Sequence, residues 1–393
     1  MARNEPILIA GGGIAGLATA LALARHGIPS RILEAREQVS EAGAGIQIGP
    51  NGVRVLAALG VTRHLQPHAS LPVEIVVQQG ASARILARMP LGAWIEARHG
   101  APYWVVHRRD LQAALLACVR AEPAIEFTTG FAVFDITTAD TRIEVRDPSG
   151  HTATGGILVG ADGIRSRVRE TVSPGLKLNF SGKAASRTLL PAGIPGPLGD
   201  ATRMGVWLAP GAHVVHYPVQ AGAQIAVVAI VPDDRLIDDW AAPNDWQTLS
   251  PHLAGFAPEL REALGTAPEW RRWALFETAP LQRLADGRIA LIGDAAHPVL
   301  PFLAQGGVMA LEDAMVLADA VSRQRDNPQA ALKSYESARR ARVNAIVSTS
   351  RQNGTIFHLS GPAALARNLA LAAVPATRLM ARYDWVYGWR PPA

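Results

Sequence analysis

The sequence predicts an α/β protein in which a Rossmann-like nucleotide-binding half is interleaved with a mainly antiparallel β-sheet unit and followed by C-terminal helices. Three observations carry this expectation. A glycine fingerprint, Gly11-x-Gly13-x-x-Gly16, follows an apolar run near the start of the chain. A second apolar run, Ile289 to Ile292, stops at Gly293-Asp294 and continues through His297-Pro298 to Gln305-Gly306-Gly307. Between them, residues from about 183 to 279 change to short β-like segments separated by Pro/Gly turns.

Taken in order, Ile7 to Ala10 has the unbroken apolar character of a strand buried on both faces. Gly11 permits the tight turn, Gly13 lets a pyrophosphate approach the backbone, and Gly16 lets the following helix pack on the strand. Leu17 to Ala24 reads as an Ala/Leu-rich helix closed by Gly27. Ser30 to Leu33 is the next strand, and Glu34 at its end suits an adenosine ribose. A lone glycine fingerprint says little, but one between a strand and a helix, answered by this acid, marks a dinucleotide site.

Gly43 to Asn51 is a glycine-rich loop, with Asn51 as candidate N-cap of a helix from Gly52 to Leu59. Val73 to Gln78 and Arg84 to Arg88 look extended, and Tyr103 to Val106 is another strand. Arg108 to Arg120 is an amphipathic helix with Leu111, Leu115 and Val119 on one side. Ile125 to Val145 alternates like a strand before the turn Asp147-Pro148-Ser149-Gly150. Ile157 to Ala161 is a buried strand whose end, Asp162-Gly163, sits beside Arg165, Arg167 and Arg169 as a second ligand-facing loop.

In the inserted unit, Arg187 to Leu190, Arg203 to Leu208, Val214 to Pro218 and Ala223 to Val231 are strand-like. Helices are expected around Trp246 to Leu253 and Pro258 to Leu264, then over Gly307 to Arg323, Pro328 to Asn353 and Pro362 to Arg382. The expected division is a discontinuous nucleotide-binding domain (1–72, 100–182, 280–330), a substrate-binding sheet domain (73–99, 183–279) and a C-terminal helical segment (331–393).

Composition narrows the function classes. With 393 residues, 49% hydrophobic and 18% charged, the chain is an ordinary globular protein of more than one structural unit. Its net charge of +5 is spread over scattered Arg without an aromatic-interleaved basic stripe, which speaks against nucleic acid and for an anionic small molecule. The single cysteine, Cys118, leaves no disulfide framework and no cysteine metal site, and no metal is expected. The apolar stretch from Ala363 to Met380 is broken by Arg367, Asn368, Pro375 and Arg378 and falls short of a membrane span. The chain enters a strand almost at once, so a cytoplasmic protein is the expectation.

Read together, the fingerprint with Glu34, Asp162-Gly163, and Gly293-Asp294-Ala295-Ala296-His297-Pro298 resemble the single-component FAD-dependent aromatic hydroxylases, the group containing p-hydroxybenzoate hydroxylase. The likeness is strongest to its branch of salicylate hydroxylase, 3-hydroxybenzoate 6-hydroxylase and 6-hydroxynicotinate 3-monooxygenase. It extends to the Gly43–Asn51 and Val106–Leu111 runs, His213-Val214-Val215-His216-Tyr217-Pro218, Leu303-Ala304-Gln305-Gly306 and the tail Tyr383 to Trp389, covering nearly the whole chain.

That resemblance implies that Gly11, Gly13 and Gly16 cradle the FAD pyrophosphate and that Glu34, with Arg36, serves the adenosine ribose. It assigns Arg108 and Gln47 to FAD, Asp162 to FAD and the nicotinamide cofactor, and Asp294 to the ribityl chain. The helix start at Gly306-Gly307 would face the flavin pyrimidine edge, where its dipole favours the anionic reduced ring. Only one dinucleotide fingerprint is present, so NADH or NADPH would act as a co-substrate without a Rossmann site of its own. NAD in the Gly11 site with no flavin would leave the Asp162 and Asp294 motifs unexplained.

By the same resemblance, NAD(P)H reduces FAD, dioxygen adds to give a flavin hydroperoxide, and its terminal oxygen attacks an electron-rich ring. The candidate base is His213, with Tyr217 on the same face of an extended strand and His216 on the other. His297 lies beside the flavin in the family motif and is expected to be structural. Pro301 stands where the 3-hydroxybenzoate hydroxylases carry glutamine, and having neither an amide nor an N–H it cannot orient a substrate hydroxyl. Gln47 stands where the hydroxynicotinate enzymes carry histidine. Arg187 and Arg203 are candidate partners for a substrate carboxylate. Other oxygenations on the same fold, or flavin binding without hydroxylation, stay open at this point. The Trp-x-Trp-x-Ile-Pro run of the flavin halogenases is absent. The C-terminal helices are open to two roles, covering the active site or forming a homodimer contact.

Overall fold

The structure, a computed structural model, describes residues 5–38, 45–234, 242–279 and 283–392. Gly43 and Ala44 of the glycine-rich run lie outside these residues, as does position 280 of the expected domain boundary.

A six-stranded sheet runs in the order Ala285–Asp286, Ile289–Leu291, Ile157–Gly160, Ile7–Ala10, Ser30–Leu33, Ile125–Thr128. All neighbours are parallel except the short Ala285–Asp286 strand, with Ile7 opposite both Ile157 and Ser30. Ile7, Leu8 and Ile9 are fully buried, as their unbroken apolar run requires. The helix Ile14–Ala24 packs against the helices Arg108–Arg120 and Gly306–Arg323, while Ile143, Val145 and Ala153 of a three-stranded antiparallel sheet join the same core. Because the strands are parallel, the ends of Ile7–Ala10, Ser30–Leu33, Ile157–Gly160 and Ile289–Leu291 open on one edge.

The second sheet has eight strands, ordered Ala242–Asn244, Trp270–Glu277, Asn179–Pro191, Gln224–Pro232, Ala212–Val219, Arg203–Ala209, Glu74–Gln79, Ile85–Pro90. Every pairing is antiparallel except Arg203–Ala209 with Glu74–Gln79. One face packs Trp207, Val214 and Val227 against Leu249 and Leu260 of the short helices beyond residue 245. The other face turns toward the strand ends of the first sheet.

Four local expectations change. The helix after the glycine-rich run is Pro50–Ala58 with Gly49 as N-cap, because Pro50 is pre-organised for the first helical position. Asn51 is thus inside the helix, and its amide donates to Gln305 Oε1 at 3.0 Å and Glu312 Oε1 at 2.8 Å. Gly45–Ile48, expected as loop, is a strand antiparallel to Trp104–His107. The strand Trp270–Glu277 was hidden by its arginines; Arg272 is only 1% exposed and reaches Asp233 at 2.5 Å. The last expected helix divides into Gly361–Ala373 and Ala376–Ala381, since Val374, preceding Pro375, is extended.

Candidate active site

The strand ends of the first sheet and one face of the second enclose a cavity of about 820 Å³. At one end, Gly11 has φ +106°, and a Cβ there would lie 2.5 Å from the Ala161 carbonyl oxygen. Only glycine tolerates both. Gly13 lines the cavity as N-cap of Ile14–Ala24. Gly16 does not line it: a Cβ there would fall 1.9 Å from the Gly11 carbonyl oxygen, so its service is close packing of helix on turn. Glu34 and Arg36 line the same end. Glu34 accepts from the Gly12 N–H at 2.7 Å and the Arg36 N–H at 3.0 Å, so its carboxylate also fixes the turn.

Asp162 lies on the next strand end. One carboxylate oxygen accepts from the Arg167 and Val168 N–H groups at 2.7 and 3.1 Å. The other, Oδ1, is buried with no protein partner, and burial raises the acid's pKa. Arg169, 5% exposed, ties this loop to the Asp294 loop by donating to the carbonyls of Ile164, Asp294 and Ala295. In the sequence it was one arginine in a run, and only its even spacing from Arg165 and Arg167 set it apart.

At the other end, Asp294 sits in a 3₁₀ turn and Gly306 opens the 18-residue helix Gly306–Arg323. Both Gly306 and Gly307 line the cavity, and a Cβ on Gly307 would come within 2.6 Å of Ile46. Gln47 closes over this end, its amide oxygen accepting from the Tyr103 hydroxyl at 2.8 Å, and Arg108 faces the cavity from the first turn of its helix. Beneath lies a buried ionic network. His297 Nε2 meets Asp313 Oδ2 at 2.5 Å, Arg339 spans Asp313 at 2.7 Å and Glu312 at 2.9 Å, and Gly293 N–H donates to Asp313 at 3.0 Å. Burial alone would raise the Asp313 carboxyl, but His297 and Arg339 outweigh it and hold it at about 2. His297 therefore has a fixed structural partner.

The eight-stranded sheet supplies the remaining wall. Arg187, His213, Val215 and Tyr217 face the cavity together with Pro301, while His216 lies on the opposite face beside Trp207, as strand alternation requires. Arg203 is a correction. It faces solvent, pairing with Glu74 at 2.9 Å and Asp200 at 3.2 Å, because the strand Arg203–Ala209 begins beyond the cavity rim. Arg187 instead lies over Trp273, its Cζ 4.7 Å from the ring centroid, and among the described residues no carboxylate pairs with it. The Tyr217 hydroxyl donates to the Gly45 carbonyl at 3.1 Å, and burial raises its pKa, so it stays protonated and anchors the Gly45–Ile48 strand.

His213 is 1% exposed, and burial holds its pKa well below the ordinary histidine value. Its Nδ1 lies 2.8 Å from Nε2 of His358. The sequence offered no signal for His358, since the expected helix ended at Asn353 whereas the observed one runs to Phe357.

These residues fit FAD: a glycine turn a Cβ would fill, an orphaned buried carboxylate oxygen at Asp162, and a long helix N-terminus at the far end of one elongated cavity. Comparison with known proteins agrees. An FAD binding domain family model matches residues 4–350. The chain is 33% identical to 3-hydroxybenzoate 6-hydroxylase of Polaromonas naphthalenivorans, over 98% of this chain and 96% of that protein. It is 30% identical to 6-hydroxynicotinate 3-monooxygenase of Bordetella bronchiseptica, over 90% and 92% respectively. Among solved structures, Klebsiella pneumoniae HpxO complexed with FAD and uric acid superposes with a TM-score of 0.85 at 27% identity, covering 97% of this chain and 96% of that one. The chain belongs to this FAD-binding family, as an FAD-dependent monooxygenase of the aromatic-hydroxylase class.

Proposed function

We propose that this enzyme hydroxylates a small aromatic ring carrying a carboxylate and a phenolic or heteroaromatic hydroxyl, with NADH or NADPH as reductant and dioxygen as oxygen source. One observation carries this: Arg187, a guanidinium with no carboxylate partner among the described residues, shares a cavity wall with the buried imidazole of His213. Bound FAD supplies the redox chemistry, taking electrons from the reductant and activating dioxygen. Gly11, Gly13, Glu34, Arg36 and Asp162 hold its adenosine and pyrophosphate side; Asp294, Gly306, Gly307, Gln47 and Arg108 hold the flavin side.

The rest is the work of the chain. Arg187 binds the carboxylate and orients the ring. His213 takes the hydroxyl proton on Nε2, which makes the ring a better electron donor; its depressed pKa keeps it neutral, and so receptive, near pH 7. Val215, Val228, Ile230, Leu275 and Pro301 form apolar walls that exclude water. In this reading the sheet unit, 73–99 and 183–279, is the substrate domain. A cytoplasmic site of action and a homodimer belong to the same reading: the reductant is a cytoplasmic one, and Leu365 and Leu369 stand exposed on Gly361–Ala373. Among the described residues no helix is long and apolar enough to cross a membrane.

The test is NADH and NADPH oxidation across hydroxybenzoates and hydroxynicotinates, with product identification to separate hydroxylation from peroxide release. His213→Ala is expected to keep the flavin spectrum and to lose about 100-fold in phenol hydroxylation. The loss should deepen at low pH, where less substrate arrives already ionised. Unchanged turnover across pH would remove His213 as the base.

A further inference from the structure

We propose that Trp273 is a positioning residue that sets the distance between the carboxylate anchor and the base, so that the site admits acids whose hydroxyl is meta or para to the carboxylate and rejects the ortho isomer. The proposal rests on the roles proposed for Arg187 and His213 and adds a length to them.

The register of the eight-stranded sheet measures that length. Arg187 stands opposite Val228 on the next strand, and Val228 stands opposite Val215 on the one after. His213 shares that third strand, two residues from Val215 and opposite Ile230. Two inter-strand spacings therefore separate the strand of Arg187 from that of His213, about 10 Å. Neither head group shortens the gap. The Arg187 Cζ lies 4.7 Å from the ring centroid of Trp273, and Trp273 belongs to the strand on the far side of Asn179–Pro191 from His213. Stacking thus holds the guanidinium on the side away from the base. The imidazole is fixed in turn, its Nδ1 2.8 Å from His358 Nε2 and its ring packed by Phe302 and Phe357 at centroid distances of 5.5 and 5.2 Å. The electrostatic surroundings are separate as well: His358 and Lys183 act on His213, whereas Tyr217 and Arg108 act on Arg187. Between the two lie Val215, Val228 and Ile230, an apolar floor that suits an aromatic ring.

A substrate has to bridge this gap. In an ortho-hydroxy acid the hydroxyl sits within hydrogen-bonding distance of its own carboxylate. The bond to Arg187, the gap between the two oxygens and the bond to His213 then reach about 8 Å at full stretch, short of the roughly 10 Å between the strands. A meta or para hydroxyl has the breadth of the ring between it and the carboxylate, which makes up the difference. Without Trp273, the long arginine side chain is free to swing over its own strand toward His213, and the spacing is lost.

The experiment compares 2-, 3- and 4-hydroxybenzoate on the FAD-loaded enzyme by NADH and NADPH oxidation with product identification. In the wild type, the better of the 3- and 4-isomers is expected to exceed the 2-isomer in kcat/KM by about 100-fold, the worth of one charge-assisted hydrogen bond. Trp273→Leu should retain flavin and cut that ratio about 10-fold, through a lower KM for the 2-isomer and a higher one for the favoured isomer. Trp273→Phe keeps an aromatic face for the guanidinium and should keep most of the ratio. Equal kcat/KM on all three isomers in the wild type would overturn the proposal, as would a Trp273→Leu that slows all three alike. If Trp273→Leu folds poorly, binding to the unreduced wild-type enzyme decides, followed by perturbation of the flavin spectrum. The 2-isomer should bind about 10-fold more weakly than the favoured isomer, and equal affinities refute the spacing. Arg187→Gln separates the two levels of failure. If it raises KM in an enzyme without isomer preference, the spacing alone falls; if it leaves KM unchanged for every isomer, the anchor falls and the spacing with it.

Discussion

At the scale of single residues, the cavity is read most sharply through Arg187. A guanidinium stacked on Trp273 is positioned by the ring, and burial lowers its pKa, so it gains most from an anionic ligand. Arg187→Gln is expected to raise KM for a carboxylate substrate about 10- to 100-fold, the worth of a charge-assisted hydrogen bond of about 1.5–3 kcal/mol, with kcat altered far less. Neutral phenols should bind the variant as well as the wild type. Steady-state kinetics on a hydroxybenzoate and on the phenol lacking its carboxylate make the comparison, and equal losses on both would remove Arg187 as the carboxylate partner. Arg187→Lys should recover only part of the affinity, because a point charge on a flexible stem neither stacks on Trp273 nor offers two parallel donors. Nothing in the sequence separates Arg187 from Arg203. Both open a strand as the sequence reads, but in the structure Arg187 lies well inside Asn179–Pro191 and faces the cavity, whereas Arg203 opens its strand beyond the cavity rim and pairs with Glu74.

At the scale of elements, what was legible was local. The strand, glycine turn and helix at Ile7 to Ala24 and the turn into Gly306–Arg323 each declare themselves within a few residues, because turn chemistry and periodicity act over that distance. The ionic network beneath them did not, since its partners meet only after folding: Asn51 with Glu312, Gly293 with Asp313, and both acids with Arg339 of the next helix. Asn51 read as a cap for the same reason, its tertiary partner being 261 positions away. Glu312 and Asp313 are fully buried and Arg339 is 1% exposed, so removing one charge strands another. Asp313→Ala is expected to destabilise the protein by about 3–5 kcal/mol and to weaken FAD retention, because Asp313 also holds His297 and the Gly293 N–H. Urea unfolding of the FAD-loaded protein, followed by flavin release, would measure both. A loss under about 1 kcal/mol with flavin retained would mean the network does not support the loop.

At the scale of the whole molecule, the eight-stranded sheet carries two buried histidines, and a half-buried third packs against it from the end of the helix Pro328–Phe357; the neutrality of all three is part of folding. His213 and His216 lie on opposite faces of one strand, and His358 closes against His213. Burial lowers all three, His216 and His358 to about 4 from an ordinary 6.5. Between those values the unfolded chain binds the proton and the folded chain does not, so stability falls as pH is lowered through this window and levels off below it. The slope is at most about 1.4 kcal/mol per pH unit for each histidine, and His216 alone, spanning about 2.5 units, is worth about 3 kcal/mol by pH 4. Asp313 acts in the same direction but lower, between about 3.8 and about 2, where its folded form resists protonation. Asp162, raised by burial, works oppositely and favours the folded state slightly as it takes up a proton. The histidine window is therefore separable from the carboxylate one. His216 is the clean probe because it stands outside the cavity, accepting from the Trp207 indole N–H at 3.3 Å, a bond a glutamine oxygen can also accept. Midpoints of thermal unfolding for wild type and His216→Gln at pH 7, 5.5 and 4.5 should fall in both, and less steeply in the variant. Parallel curves would show that the cost of charging this sheet does not reside in His216.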